Sequence, residues 1–143
     1  MFTKTQESED RLRVWREFRQ DFPEDGTQQE VLDAFKSVHI RSRYLDYFTP
    51  SSWPGIFEIV SEGYFCQTGL NLVIAGTLEY LGFIKSDTYK FDVISNYLTG
   101  QEGAYLIYKD MYYNFIPGEI VSSTFAKSNS HSYNRGIITI DKF

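Results

Sequence analysis

The chain of 143 residues reads as one α+β domain. N-terminal helices, including one buried central helix, pack on a mainly antiparallel sheet from the C-terminal half. Three observations predict this. Apolar residues recur at helical spacing through the first 81 positions. Strand-like alternation takes over from about residue 89. Between them, residues 66–81 are apolar on almost every face, the signature of a helix with no side turned to water. Helices first and strands afterwards is the order of the α+β class.

The first helix is expected over residues 7–21. Leu12, Trp15, Phe18 and Phe22 form one stripe at spacings of three and four, and Glu7, Glu9 and Asp10 suit the positive end of the helix dipole. Pro23 and Gly26 close it. Thr27 followed by Glu30 is a capping-box pattern, and Val31, Ala34, Phe35 and Val38 give the second helix its apolar face. Tyr44 and Phe48 extend that spacing, so this helix is expected to run to about Tyr47, before Pro50. Ser51 to Pro54 turn the chain into a short third helix, with Phe57, Ile59 and Val60 inward and Gly63 as its stop.

The central helix carries Leu70, Val73, Ile74, Thr77, Leu78 and Leu81, and Gly82 ends it. Strands are expected at 89–93, at 119–125 and at 136–140. A hairpin joins 105–108 to 111–115 through Lys109 and Asp110. The segment 127–135 is rich in Ser and Asn and reads as a loop. No repeat or linker divides the chain, so residues 1–143 are taken as one domain.

Composition excludes several functions. Fourteen Lys and Arg against nineteen Asp and Glu leave a net charge of −5, which argues against nucleic acid as a partner. A single cysteine cannot form an internal disulfide and fits a reducing compartment. The N-terminal residues are polar and then acidic, unlike a secretory signal. The run 70–84 is too interrupted to span a membrane. The expected setting is cytoplasmic, without membrane attachment. One Cys and two distant His give no metal-ligand spacing, and no phosphate-loop or dinucleotide motif is present, so no metal or cofactor is expected.

The best chemical lead is that cysteine. Cys66 sits where the central helix begins, and a thiol there meets unpaired backbone N–H groups that favour the thiolate. Cysteine hydrolases and acyl transferases often present a nucleophile this way. The competing reading is a buried, inert thiol. His131 lies ten residues before Asp141, so Cys66, His131 and Asp141 keep the order nucleophile, base, orienter. The competing reading of His131 is an exposed loop residue. His39, the other histidine, is expected on the second helix.

A cysteine on the first turn of a buried helix, followed by an antiparallel sheet, resembles the papain-like superfamily in its small forms, the NlpC/P60 and transglutaminase-like domains. In that family the helix Cys attacks a carbonyl, a His on the next long strand is the base, and an Asp or Asn on the following strand orients the His. The resemblance places the orienting residue at Asn114. It places the base near Gly103 or Ala104, where this chain has no histidine, so the catalytic set is incomplete. Separately, Trp53-Pro54-Gly55-Ile56-Phe57-Glu58-Ile59 and Glu62-Gly63-Tyr64-Phe65-Cys66 are similar to a pattern in small proteins of T4-like bacteriophages. That resemblance implies an accessory protein acting in the host cytoplasm.

Two further features bear on binding. Tyr105, Tyr108, Tyr112, Tyr113 and Tyr133 fall in the strand half, and alternation puts some of them outward, where tyrosine serves protein contacts well. They also could simply fill the core. Arg11, Arg13, Arg16 and Arg19 make the first helix strongly basic, either as a contact surface or as a face paired with its own Glu and Asp. The leading expectation is a binding protein that modulates a host protein. The alternative is a hydrolase or acyl transferase using Cys66. A homo-oligomer would follow if the tyrosines form a self-association surface.

Overall fold

A computed structural model describes residues 1–3 and 6–138, with side chains described up to Tyr133 on the last strand. Four helices precede the sheet: α1 (Ser8–Asp21), α2 (Gln28–Phe35), α3 (Ile56–Glu62) and α4 (Gln67–Tyr80). The strands are β1 (Lys90–Asn96), β2 (Glu102–Tyr108), β3 (Met111–Tyr113), β4 (Ile120–Ser122) and β5 (Ser130–Ile138), with a short α5 (Ser123–Ser128) before the last. The sheet runs β4-β3-β2-β1-β5, and every neighbouring pair is antiparallel. The α+β class therefore holds. No helix among the described residues is long and apolar enough to cross a membrane.

Helix α4 is the centre. Twelve consecutive residues, Gln67 to Leu78, are buried. On one side lie α2 and α3, and on the other the sheet face carrying Phe91, Val93, Ala104 and Leu106. Helix α1 packs on α3, and its Trp15 is buried with its indole N–H donating to Thr77 Oγ1 at 3.0 Å. The opposite sheet face has its own smaller core of Ile94, Tyr105, Tyr112, Phe115 and Ala126, closed by α5.

A largely apolar helix needs something directional to fix its position along the sheet. Polar side chains in its first two turns supply it. Thr68 Oγ1 accepts the Ala104 N–H at 2.9 Å, and Asn71 Nδ2 donates to the Ala104 carbonyl at 2.8 Å. The β2 to β3 ladder reaches only Ile107 and Tyr108, so at Ala104 these side chains stand in for a neighbouring strand. Asn71 Oδ1 also accepts from Gln67 Nε2 at 3.2 Å and Asn114 Nδ2 at 3.1 Å, while Asn114 Oδ1 accepts the Gly118 N–H at 2.8 Å.

Several elements differ from the sequence expectation. The second helix ends at Phe35, not near Tyr47. Residues 36–49 leave it as an irregular segment held by other bonds: the Arg41 N–H donates to the Phe65 carbonyl, and the Asp46 carboxylate accepts from the Phe48 N–H and the Thr49 hydroxyl. His39 is therefore an exposed residue outside the helix. The strand expected over 119–125 stops at Ser122, whose hydroxyl caps α5 by accepting from the Phe125 N–H. The polar stretch expected as a loop is instead α5 and the start of β5, because pairing with Ser95 and Asn96 organises it. Tyr105, Tyr112 and Tyr113 are buried. They fill the two cores and are not available as a contact surface.

Removing the Asn71 amide leaves the Ala104 carbonyl, Gln67 and Asn114 without a shared partner inside the core. Asn71→Ala is expected to cost about 3 kcal/mol in urea unfolding. Tyr112 gives a second test. Its hydroxyl donates to Asp92 Oδ2 at 2.8 Å, and burial together with that carboxylate raises its pKa above the usual tyrosine value. A raised acid pKa adds stability that is complete below the unfolded pKa near 10 and is lost as pH rises beyond it. Between pH 9 and 11 the urea midpoint of the parent is expected to fall more steeply than that of Tyr112→Phe.

Candidate functional site

Cys66 is the N-cap of α4. Its backbone is extended, and Sγ accepts the Gly69 N–H at 3.3 Å. The placement follows from the clamp on Ala104, which starts two residues later and holds the first turn against β2. The residue is only 8% exposed, yet it lines an open cleft of about 460 Å3.

One wall of the cleft is the segment 41–48, including Arg41, Tyr44, Tyr47 and Phe48. The other is formed by Gln101 just before β2, Glu102 at its start and Tyr133 on the edge strand β5. Tyr47 donates its hydroxyl to the Glu102 carbonyl at 3.3 Å, tying the walls together. Burial first, and then the neighbouring Cys66 and Glu102, raise the pKa of Tyr47. Tyr133 is raised as well, by burial and by the neighbouring Glu102 carboxylate. Both phenols therefore keep their protons through neutral pH. The rim is aromatic: Tyr44 is 89% exposed and Phe48 58%. Arg43 pairs with Glu62 at 2.9 Å, whereas Arg41 stands over the Tyr64 ring and makes no ion pair among the described residues.

The residues singled out from sequence fall as follows. Cys66 and Tyr133 meet in the cleft. His131 does not line it. It lies on β5 opposite Ser95, exposed, with its ring edge-on to Tyr133 at 5.6 Å. Asn114 has no imidazole to orient: its amide bridges Asn71 and Gly118, and its backbone is left-handed at φ 60°. Asp141 lies outside the described residues. Tyr108 is half-buried beside Lys109 and Tyr113, on another part of the sheet. Sequence reasoning missed Tyr47, Glu102 and the aromatic rim. The signal for Glu102 was its place two residues before Ala104, one alternation along β2.

At Gly103, one of the two positions where the papain-like pattern expects its base, a side chain has no room. A Cβ on Gly103 would lie 2.6 Å from Thr68 Oγ1 and 3.2 Å from its backbone nitrogen. The cleft-lining residue of that strand is Glu102. A carboxylate is a weaker base than a thiolate by about four pKa units, and it repels a thiolate rather than steadying it. Among the described residues no three His, Cys, Asp or Glu side chains gather into a group able to hold a metal ion.

Gly103→Ala forces Thr68 away from the Ala104 N–H. The substitution is expected to destabilise the protein by about 2 kcal/mol, read as a lowered urea midpoint. Amide hydrogen exchange should accelerate first in the opening turn of α4.

No family model matches the chain, and no curated protein matches it. Solved structures do. Legionella pneumophila LapG aligns with a TM-score of 0.65 at 13% identity, covering 90% of this chain and 77% of that one. Its calcium-bound form gives 0.67 at 14%, covering 94% and 81%, and its EGTA-treated form 0.66 at 13%, covering 94% and 78%. At these identities the likeness concerns the fold alone.

Proposed function

We propose that this chain is a binding protein on a papain-like scaffold, a phage-type accessory protein that holds a segment of a host protein in the Cys66 cleft without cutting it. The observation that carries this reading is the chemistry around the thiol. Its cleft is lined by phenols, arginines and the carboxylates of Asp46 and Glu102, with no imidazole among the described residues.

Attack on an amide needs a group that takes the thiol proton and later returns it to the leaving amine. Imidazole does both because it titrates near neutrality. Tyr47 and Tyr133, with raised pKa values, hold their protons and cannot accept another. The cleft is well made for binding all the same. Tyr44 and Phe48 offer large apolar area at the rim, and such rings contribute strongly to protein contacts. The bacteriophage resemblance supports a host protein as the partner and the host cytoplasm as the setting.

A second reading keeps Cys66 as the nucleophile of a hydrolase or acyl transferase. It is favoured by the edge-on contact of His131 with Tyr133, which leaves the imidazole one ring away from the cleft.

The two readings part on turnover. With a panel of ester and amide substrates, the binding reading expects no product above that of Cys66→Ser. It also expects iodoacetamide to label Cys66 at the same rate in the parent and in His131→Ala. On a fluorescent peptide selected against the cleft, Tyr44→Ala and Phe48→Ala should each weaken binding about tenfold, and Cys66→Ser should leave it unchanged. Turnover abolished by both Cys66→Ser and His131→Ala would overturn the binding reading in favour of the enzyme.

A further inference from the structure

The arginines of α1 do not act as one basic surface. Arg11 is spent inside the fold: its guanidinium donates to the carbonyls of Val60 and Ser61 at the end of α3, and to that of Gln6. Arg13 pairs with Asp10 and Glu17. Arg19 is different. Its guanidinium carbon lies 3.9 Å from the centre of the Trp15 ring, 5.0 Å from Tyr80 and 5.8 Å from Phe57. Its Nε donates to the Trp15 carbonyl at 3.4 Å. Among the described residues, neither terminal nitrogen has a hydrogen-bond acceptor, and no carboxylate pairs with it.

The box around Arg19 is pre-organised. Trp15 is buried and locked to Thr77 through its indole N–H. Phe57 sits edge-on to Trp15 at 5.0 Å. Phe57 and Tyr80 are nevertheless 58% and 57% exposed, an unusual amount of ring surface to leave in water beside an arginine. Arg16, one turn earlier, is exposed and adds a second positive charge. A planar guanidinium held against aromatic faces, with its terminal nitrogens uncommitted among the described residues, offers the two-pronged donor edge that matches a carboxylate.

We propose that Arg19, Phe57 and Tyr80 form a second binding site, which takes the carboxylate of an acidic protein segment with an apolar side chain beside it. The carboxylate seats on the terminal nitrogens of Arg19, with Arg16 adding attraction, and the apolar neighbour covers Phe57 or Tyr80. This site lies at the far end of α4 from Cys66 and does not depend on what the cleft does.

The test is a titration of the full chain, with arginine Nε–Hε and backbone amides followed by nuclear magnetic resonance. The probe is an acetylated, amidated Glu-Phe-Glu peptide, with Gln-Phe-Gln and inorganic phosphate as comparisons. The Arg19 signal is expected to shift saturably with Glu-Phe-Glu, with Kd on the order of 1 mM, and not with Gln-Phe-Gln. Arg19→Lys keeps the charge but loses the fork, and should weaken the effect about fivefold on the remaining α1 and α4 signals. Phe57→Ala should do the same while thermal unfolding shows the variant folded. An unmoved Arg19, or binding retained in Arg19→Gln, overturns the site. Equal response to phosphate also overturns it, since the ligand is then a phosphoryl group. Shifts confined to Tyr44 and Phe48 overturn this site while leaving the cleft reading intact.

Discussion

The grip of α4 on a single peptide unit of β2 governs the rest of the structure. Thr68 and Asn71 hold the N–H and carbonyl of Ala104. Both groups would otherwise be buried without partners, at a cost of about 1–3 kcal/mol each. Apolar packing could not replace this grip. A helix buried over twelve consecutive residues loses little when it slides or turns, because apolar contact is not directional. Two hydrogen bonds to one peptide define both its axial position and its rotation. Gln67 and Asn114 extend the network by donating to the same Asn71 oxygen. Buried polar networks of this kind help to specify a single structure.

The same grip decides what the cleft contains. With Ala104 fixed under the second turn, the β2 residue at the cleft wall is Glu102, and the Cys66 thiol is held at its floor. Gly103 is left against Thr68 with no room for a side chain. The thiol is thus kept at the start of α4, while close packing at Gly103 removes one of the two places where a base was expected. The phenols that take up the space are kept protonated by burial and by the neighbouring acidic groups. Such a surface donates hydrogen bonds and presents rings, which suits contact with peptide carbonyls and side chains better than proton transfer.

The sequence made the helical half legible wherever a stripe met a cap. Thr27 accepts from the Glu30 N–H as the capping pattern requires, and the stripe of Leu12, Trp15, Phe18 and Phe22 packs on the core. Lys109 and Asp110 turn the β2 to β3 hairpin with positive φ at both positions. The failures share a cause. Tyr44 and Phe48 have helical spacing but are exposed rim residues, because long-range bonds such as that from Arg41 to Phe65 pull residues 36–49 away from the helix. Likewise, Ser130 to Tyr133 have the composition of a loop and become a strand only because β1 offers them an open edge. Periodicity reports local preference, while pairing with a distant strand leaves no local mark. The cleft was half legible for the same reason. Cys66 follows from its own helix, whereas Glu102 and Tyr47 join it only through tertiary packing.

Helix α4 also sets the distance between two surfaces that offer exposed aromatic rings, the cleft rim and the Arg19 site. Cys66 is at its start and Tyr80 at its end, so its fourteen residues separate them by about 20 Å along the axis. A buried helix is a stiff spacer, and neither end can approach the other. An extended chain covers that distance in no fewer than about six residues. A partner meeting both ends must therefore be a long segment or a folded surface. Single short motifs would engage one end at a time and gain nothing from the other. For a partner long enough to reach both, the second contact becomes intramolecular, and its effective concentration is set by the rigid spacing of α4. Two modest contacts would then give firm attachment with no chemistry at Cys66, in keeping with a thiol whose cleft supplies rings and hydrogen-bond donors in place of a base.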